Sequence, residues 1–157
     1  MALTPEQKQT LKTNIQSTPA ANALYVDGNL AGLAAYYNAE SNPAHIVWKT
    51  NVPLNDVGRT FNAAELAGLT QLNTSRLQNL AAWLATGVNP SVTAVRQFFD
   101  DIFSGAGGTN TRPALLALWK RTATRLEQVF ATGTGSTANP ATLVVEGSLS
   151  YTDLIGL

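Results

Sequence analysis

The chain contains no cysteine, which excludes disulfide bonds, thiolate metal sites and cysteine nucleophiles together. Histidine occurs once, as His45. A transition-metal site would have to rest on carboxylates, and none cluster at ligand spacing. His45 therefore reads as structural, and no metal ion or cofactor is expected. Charge is scarce as well: Asp, Glu, Lys and Arg form 13% of 157 residues, about half the usual quarter. Ten basic residues balance ten acidic ones, so no net field draws the chain to nucleic acid or anionic lipid. No apolar run is long enough to span a bilayer, and no membrane partner is expected. Met1-Ala2-Leu3-Thr4-Pro5-Glu6 has neither a basic nor an apolar stretch, so no secretory signal is expected and synthesis is assigned to the cytoplasm.

Catalytic motifs are missing too. The Gly-x-Ser-x-Gly spacing of a nucleophile elbow is absent. The loop from Ser104 to Thr109 is Gly-rich, but it follows a helical pattern and lacks the Gly-Lys-[Ser/Thr] of a phosphate cradle. Asp100 and Asp101 are neighbours on a helix, where adjacent side chains diverge, so they do not face each other as an acid and a base would. The chain is not expected to be an enzyme.

What is present is a chain long enough for one domain, with Asn, Thr, Ser and Gln where charges would usually stand. Such a surface buries easily against a neighbour, because few ions must be desolvated. Thr4, Pro5 and Gln7 spell a helix start with a capping box. Leu11 and Ile15 give that helix a narrow stripe and a peripheral place, and Ser17-Thr18-Pro19 ends it. Asp27-Gly28-Asn29 introduces a second helix that buries Leu30, Leu33, Ala34 and Tyr37. After Asn42-Pro43, the run Ala44 to Thr50 is rich in β-branched and aromatic residues and reads as extended. A loop is expected from Pro53 to Arg59. Asn62 to Glu65 is another capping-box pattern, followed by Leu66, Leu69, Leu77, Leu80, Ala81, Trp83 and Leu84 in one helix or two. Asn89-Pro90-Ser91 opens a helix with Val92, Val95, Phe98, Phe99, Ile102 and Phe103 on a broad apolar face.

The clearest grammar lies between Asn110 and Tyr151. Pro113 suits a first helical turn. Leu115, Leu118, Trp119, Thr122, Leu126, Val129 and Phe130 share one side of a long helix that should stop near Ala131, before Gly133 and Gly135. Beyond Pro140 the period changes to two: Leu143, Val145, Gly147, Leu149 and Tyr151 alternate with Thr142, Val144, Glu146, Ser148 and Ser150. A long C-terminal strand must satisfy both rows of its backbone groups. It could fold as a hairpin at Glu146-Gly147-Ser148, pair with Ile46–Lys49, or pair with another copy of the chain. The fold class is thus mainly α: about five or six helices in a single domain, with a C-terminal β-strand or hairpin arm. Residues 1–140 form the helical domain, and 141–157 the arm, within that domain or docked on a neighbour. Arg112, Lys120, Arg121 and Arg125 form the main basic group. Arg121 and Arg125, four apart, would share one flank of the long helix, with Lys120 beside Glu127. Without interleaved aromatics the group does not suit base stacking.

Asn51-Val52-Pro53, Phe61-Asn62, Asn89-Pro90-Ser91, Val95-Arg96, Ala114 to Arg121, Ala123-Thr124-Arg125, Phe130 to Gly135 and on to Glu146-Gly147 resemble a group of small tailed-bacteriophage proteins encoded among virion structural genes. The likeness runs over nearly the whole chain and is most specific in its C-terminal half. It implies a virion structural protein, made in the bacterial cytoplasm. Helical subunits with extended arms are similar in kind to the head–tail connector, or adaptor, proteins that form rings below the portal, an analogy of architecture. The resemblance leaves the station in the particle open; the analogy makes a non-enzymatic neck subunit in a homo-oligomeric ring the expected role, with portal and other neck or tail proteins as partners. Leu143, Val145, Leu149 and Tyr151 would make the subunit or partner contact. Arg112, Arg121 and Arg125 would make polar contacts to a partner ring or, non-specifically, to packaged DNA. A tail-completion, tail-associated or capsid-stabilising role is the alternative, and a small DNA-binding or regulatory protein the outside one.

Overall fold

Nine α-helices form among the described residues, most of them short, and most begin where a side chain or a proline can start them. The structure, a computed structural model, describes residues 3–83 and 87–157, with backbone only for 81–83. Helix α1 (Pro5–Ser17) opens with the expected capping box: Gln7 N–H donates to Thr4 Oγ1, and Thr4 N–H to Gln7 Oε1. Helix α1 ends at Ser17 as expected, and Pro19 takes the first position of α2 (Pro19–Val26). That helix had no sequence signal, because its residues are nearly all small or apolar and leave no polar face to mark a period. Asn29 caps α3 (Leu30–Asn38), whose Leu33, Ala34 and Tyr37 are buried as expected.

The extended run is real over three residues, β1 (Ile46–Trp48). Where a loop was expected, α4 (Leu54–Arg59) forms with Pro53 at its N-cap. Asn62 caps α5 (Ala63–Ala67), and the chain breaks at Gly68 before α6 (Gln71–Trp83) begins, so the ambiguous stretch holds two helices. The expected apolar positions Ala81, Trp83 and Leu84 lie outside the described side chains. Helix α7 (Thr93–Ile102) buries Phe99 and Ile102, and a 3-10 turn occupies Gly105–Gly108.

The long helix expected from Pro113 to Ala131 is instead three elements: α8 (Thr111–Leu118), β2 (Lys120–Thr122) and α9 (Arg125–Phe130). Two interactions break it. Lys120–Thr122 pair antiparallel with β1 in a two-stranded sheet. Thr124 and Glu127 then form a reciprocal capping box that starts a new helix. Arg121 and Arg125 consequently share no helical flank.

The C-terminal strand is also absent. Alternation holds from Ala141 to Val145, with Ala141 and Val145 buried and Thr142 and Val144 exposed. The ladder contacts are two single bridges, Ala141 with Val47 and Thr142 with Thr132. Of the three pairing partners considered, the Ile46–Lys49 segment is met within the chain, at one residue. Gly147 then turns the backbone with φ of +135°, a conformation that favours glycine. The Leu149 backbone is satisfied by a side chain: its N–H donates to Asn38 Oδ1, and its C=O accepts from Asn38 Nδ2, both at 2.8 Å. Ser150 and Asp153 cap a 3-10 helix at Tyr151–Leu154.

The chain divides into two compact units, Met1–Val47 with Thr122–Leu157, and Trp48–Arg121. The segment 141–157 thus belongs to the first unit. That unit's core joins Leu11, Ile15, Leu33, Tyr37, Leu126, Val145, Leu149 and Leu154. Leu11 and Ile15 are fully buried, so α1 is not peripheral: its stripe is narrow but lies wholly inside. The second unit gathers Trp48, Val52, Val57, Phe99, Phe103, Leu115 and Trp119. The apolar period read across 115–130 was therefore two helices serving two cores.

Replacing Asn38 with Ala removes both bonds to Leu149 and leaves its part-buried backbone groups unsatisfied. A loss of about 1–3 kcal/mol is expected in urea unfolding followed by circular dichroism.

Candidate functional site

Three polar clusters are candidates, and each is built by residues distant in sequence. In the first unit α1, α3 and α9 border a cleft of about 410 Å³, lined by Asn14, Thr18, Tyr36, Tyr37, Asn42, Arg125, Gln128 and Val129. The Arg125 guanidinium lies over the Tyr36 ring, 4.4 Å from its centre, and Nη1 donates to the Tyr36 carbonyl at 2.9 Å. The Tyr37 hydroxyl donates to Asn14 Oδ1 at 2.7 Å. Burial, aided by Tyr36 and opposed by Thr18, pushes its pKa up to about 12. The phenol thus stays a donor throughout the physiological range.

In the second unit Trp48 carries two cations on its indole: the Arg96 guanidinium carbon 4.3 Å from the ring centre and Lys120 Nζ 5.5 Å away. Arg96 also donates to the Pro90 and Ser91 carbonyls, tying α7 to the turn before it. Lys120, expected on a solvated helix face, lies on an aromatic ring instead.

Glu65 is the third centre. The sequence suggested a capping-box partner for Asn62, but Asn62 caps α5 through its own Oδ1 alone. The Glu65 carboxylate reaches the start of α8. It accepts from the Asn110 N–H at 2.7 Å, the Thr111 N–H at 2.9 Å, the Asn110 side-chain amide and the Thr109 hydroxyl. The α8 N-terminus, with its orphan N–H groups and positive dipole end, is thereby capped from another helix. The Thr111 hydroxyl, then the Asn110 and Thr111 N–H groups, hold the Glu65 pKa down at about 2, against the opposing effect of burial.

The residues expected to make partner contacts separate. Val145 and Leu149, 6% and 4% exposed, are part of the first unit's own core. Leu143 is half-buried against Val47, Ala123 and Ala141. Tyr151 alone of the four is exposed. Arg112 Nε donates to Asp100 Oδ1 at 2.8 Å, Arg121 lies on β2 and interacts within the chain, and Arg125 lines the cleft. Arg112 and Arg121 belong to the second unit and Arg125 to the first. His45 packs its ring against Gly135, where an added Cβ would collide with the imidazole. Among the described residues no three His, Asp or Glu side chains are grouped to hold an ion. Sequence reasoning missed Glu65 and the Tyr36–Arg125 stack. Their partners stand 45 and 89 positions away, and no local pattern encodes that.

No family model, no curated protein and no solved structure matches the chain.

The Glu65 contacts give a pH dependence of definite sign. A carboxyl whose pKa falls on folding from 4.5 to about 2 stabilises fully above pH 4.5. That contribution is lost as the pH falls towards 2. Glu65→Gln should lower the thermal midpoint by several degrees at neutral pH. The gap to the parent should shrink as the pH is lowered through that window, as scanning calorimetry would show.

Proposed function

We propose that the chain is a non-enzymatic structural subunit of a tailed-phage particle, a head–tail connector protein acting in a ring between portal and tail. The residue-level resemblance across 51–147 supports this reading, and the C-terminal segment is the observation that carries it. That segment is anchored inward by Val145, Leu149 and Leu154, and it exposes Val144, Tyr151 and Ile155 at 62%, 57% and 56%. Among the described residues, three of the six exposed large apolar side chains thus fall between 144 and 155. Single exposed apolar residues are ordinary, whereas a concentration on one anchored segment suits a protein contact.

The contact is made by apolar side chains on a segment already folded onto its own unit, not by strand addition. Tyr151 stays a contact residue, and Val144 and Ile155 take the places of the buried Val145 and Leu149 and the half-buried Leu143. A head-to-tail contact of this kind closes into a ring of whatever order its rotation permits. A composition with few charges keeps the desolvation cost of such a contact low.

The mass of the purified chain, measured by light scattering alone and with the portal protein of its particle, tests the reading. A defined ring complex with portal is expected. A chain that ignores portal but joins the tail protein would overturn the connector assignment. Tyr151→Ser and Ile155→Ser remove exposed apolar area only. Each should weaken assembly by about tenfold, or roughly 1–2 kcal/mol, with an unchanged melting temperature.

A further inference from the structure

The cleft bordered by α1, α3 and α9 has one positive charge on its wall and no negative one. Val129 is its only aliphatic lining residue. The stack on Tyr36 and the bond from Nη1 to the Tyr36 carbonyl fix the plane of the Arg125 guanidinium. Among the described residues, the Nε–Nη2 edge has no protein acceptor. Because the Asn14 oxygen accepts from Tyr37, the amide nitrogen of Asn14 is the end left for a ligand. Thr18, Asn42 and Gln128 add further neutral donors to the wall.

A guanidinium edge held in one plane offers two parallel N–H bonds, the fork that a carboxylate fits. With no competing acid in the lining, such a group would meet one full charge and several amide or hydroxyl donors. Nucleic acid fits less well: a backbone with a charge at about every 1.7 Å calls for a row of cations, and this cleft has one. A free metabolite fits less well too, since small-molecule sites are mostly apolar and this lining is polar. A tethered carboxylate has no such need, because the rest of its interface offsets the cost of ordering it.

We propose that this cleft receives one Asp or Glu carboxylate from a neighbouring protein subunit. The source of the carboxylate rests on the assembly reading above; the chemistry of the cleft does not. Arg125 is then the residue that binds the acid, Tyr36 holds its plane, and Tyr37 orients Asn14.

The probe is N-acetylglutamate α-amide, which presents a single side-chain carboxylate. It is titrated into the isotope-labelled full chain at constant ionic strength, and the Arg125 Nε–H and the Asn14 and Gln128 side-chain amides are followed by nuclear magnetic resonance. Saturable shifts confined to these signals are expected. Gln128→Glu adds an acid at an exposed position and should weaken binding about tenfold or more. Asn14→Asp keeps an acceptor for Tyr37 and should abolish binding. Absence of saturation at tens of millimolar probe, equal binding by Gln128→Glu, or equally tight binding of inorganic phosphate would overturn the proposal. Saturable binding without assembly on portal would overturn the connector reading alone. Assembly on portal without carboxylate binding would overturn this one alone.

Discussion

Short helices have more ends than middle, and satisfying those ends is the constraint on which this structure depends. A six-residue helix such as α4 or α9 has four N–H groups and four C=O groups with no partner inside it. Nine such elements would leave a large number of backbone groups unmet if water alone served them. The chain meets them with small polar side chains. Thr4, Asn29, Asn62 and Thr124 cap the helix starts that follow them, and Ser150 caps the last 3-10 turn. Glu65 does the same for α8 from a distance, and Asn38 serves the Leu149 backbone as a neighbouring strand would. The abundance of Asn, Thr and Ser in a charge-poor chain thus has a function inside the fold as well as at its surface.

Those caps also decide which apolar residues meet. The capping box of Thr124 and Glu127 fixes where α9 starts, and so places Leu126 in the core with Leu33, Tyr37 and Leu149. The Glu65 contacts fix the start of α8, and so place Leu115 and Trp119 with Phe99 and Phe103. Each unit then closes its own core. The inward half of the C-terminal segment is consumed in the first of them, and Val144, Tyr151 and Ile155 of the same segment stay exposed.

The proposed contacts follow from the same economy of charge. Arg125 stacks on Tyr36 and bonds a backbone carbonyl, with no carboxylate among the described residues that line its cleft. In a chain with few acids, an arginine can be ordered by an aromatic ring and a peptide group and still keep a donor edge. An apolar contact from Val144, Tyr151 and Ile155 and a single directional ionic contact from Arg125 together make a natural pair: one supplies area, the other orientation.

The sequence by itself determined the starts of α1, α3, α5 and the α7 region, the extended character of β1, the mainly helical class, and the burial of Leu33, Tyr37, Phe99 and Ile102. These are local matters of capping chemistry and period, and they are legible because the residues involved lie within four of one another. Tertiary structure decided the rest. An apolar period from Leu115 to Phe130 is the same whether one helix or two produce it, and it was cut by the pairing of Lys120–Thr122 with β1 and by the helix start at Thr124 and Glu127. The alternation after Pro140 is real for a few residues, but a strand needs a partner along its length, and Asn38 met Leu149 instead. The partners of Glu65 and Arg125 were set by the packing of distant helices, where no spacing rule reaches. Val145 and Leu149 read as contact residues because alternation says which residues share a face. It does not say whose core that face enters.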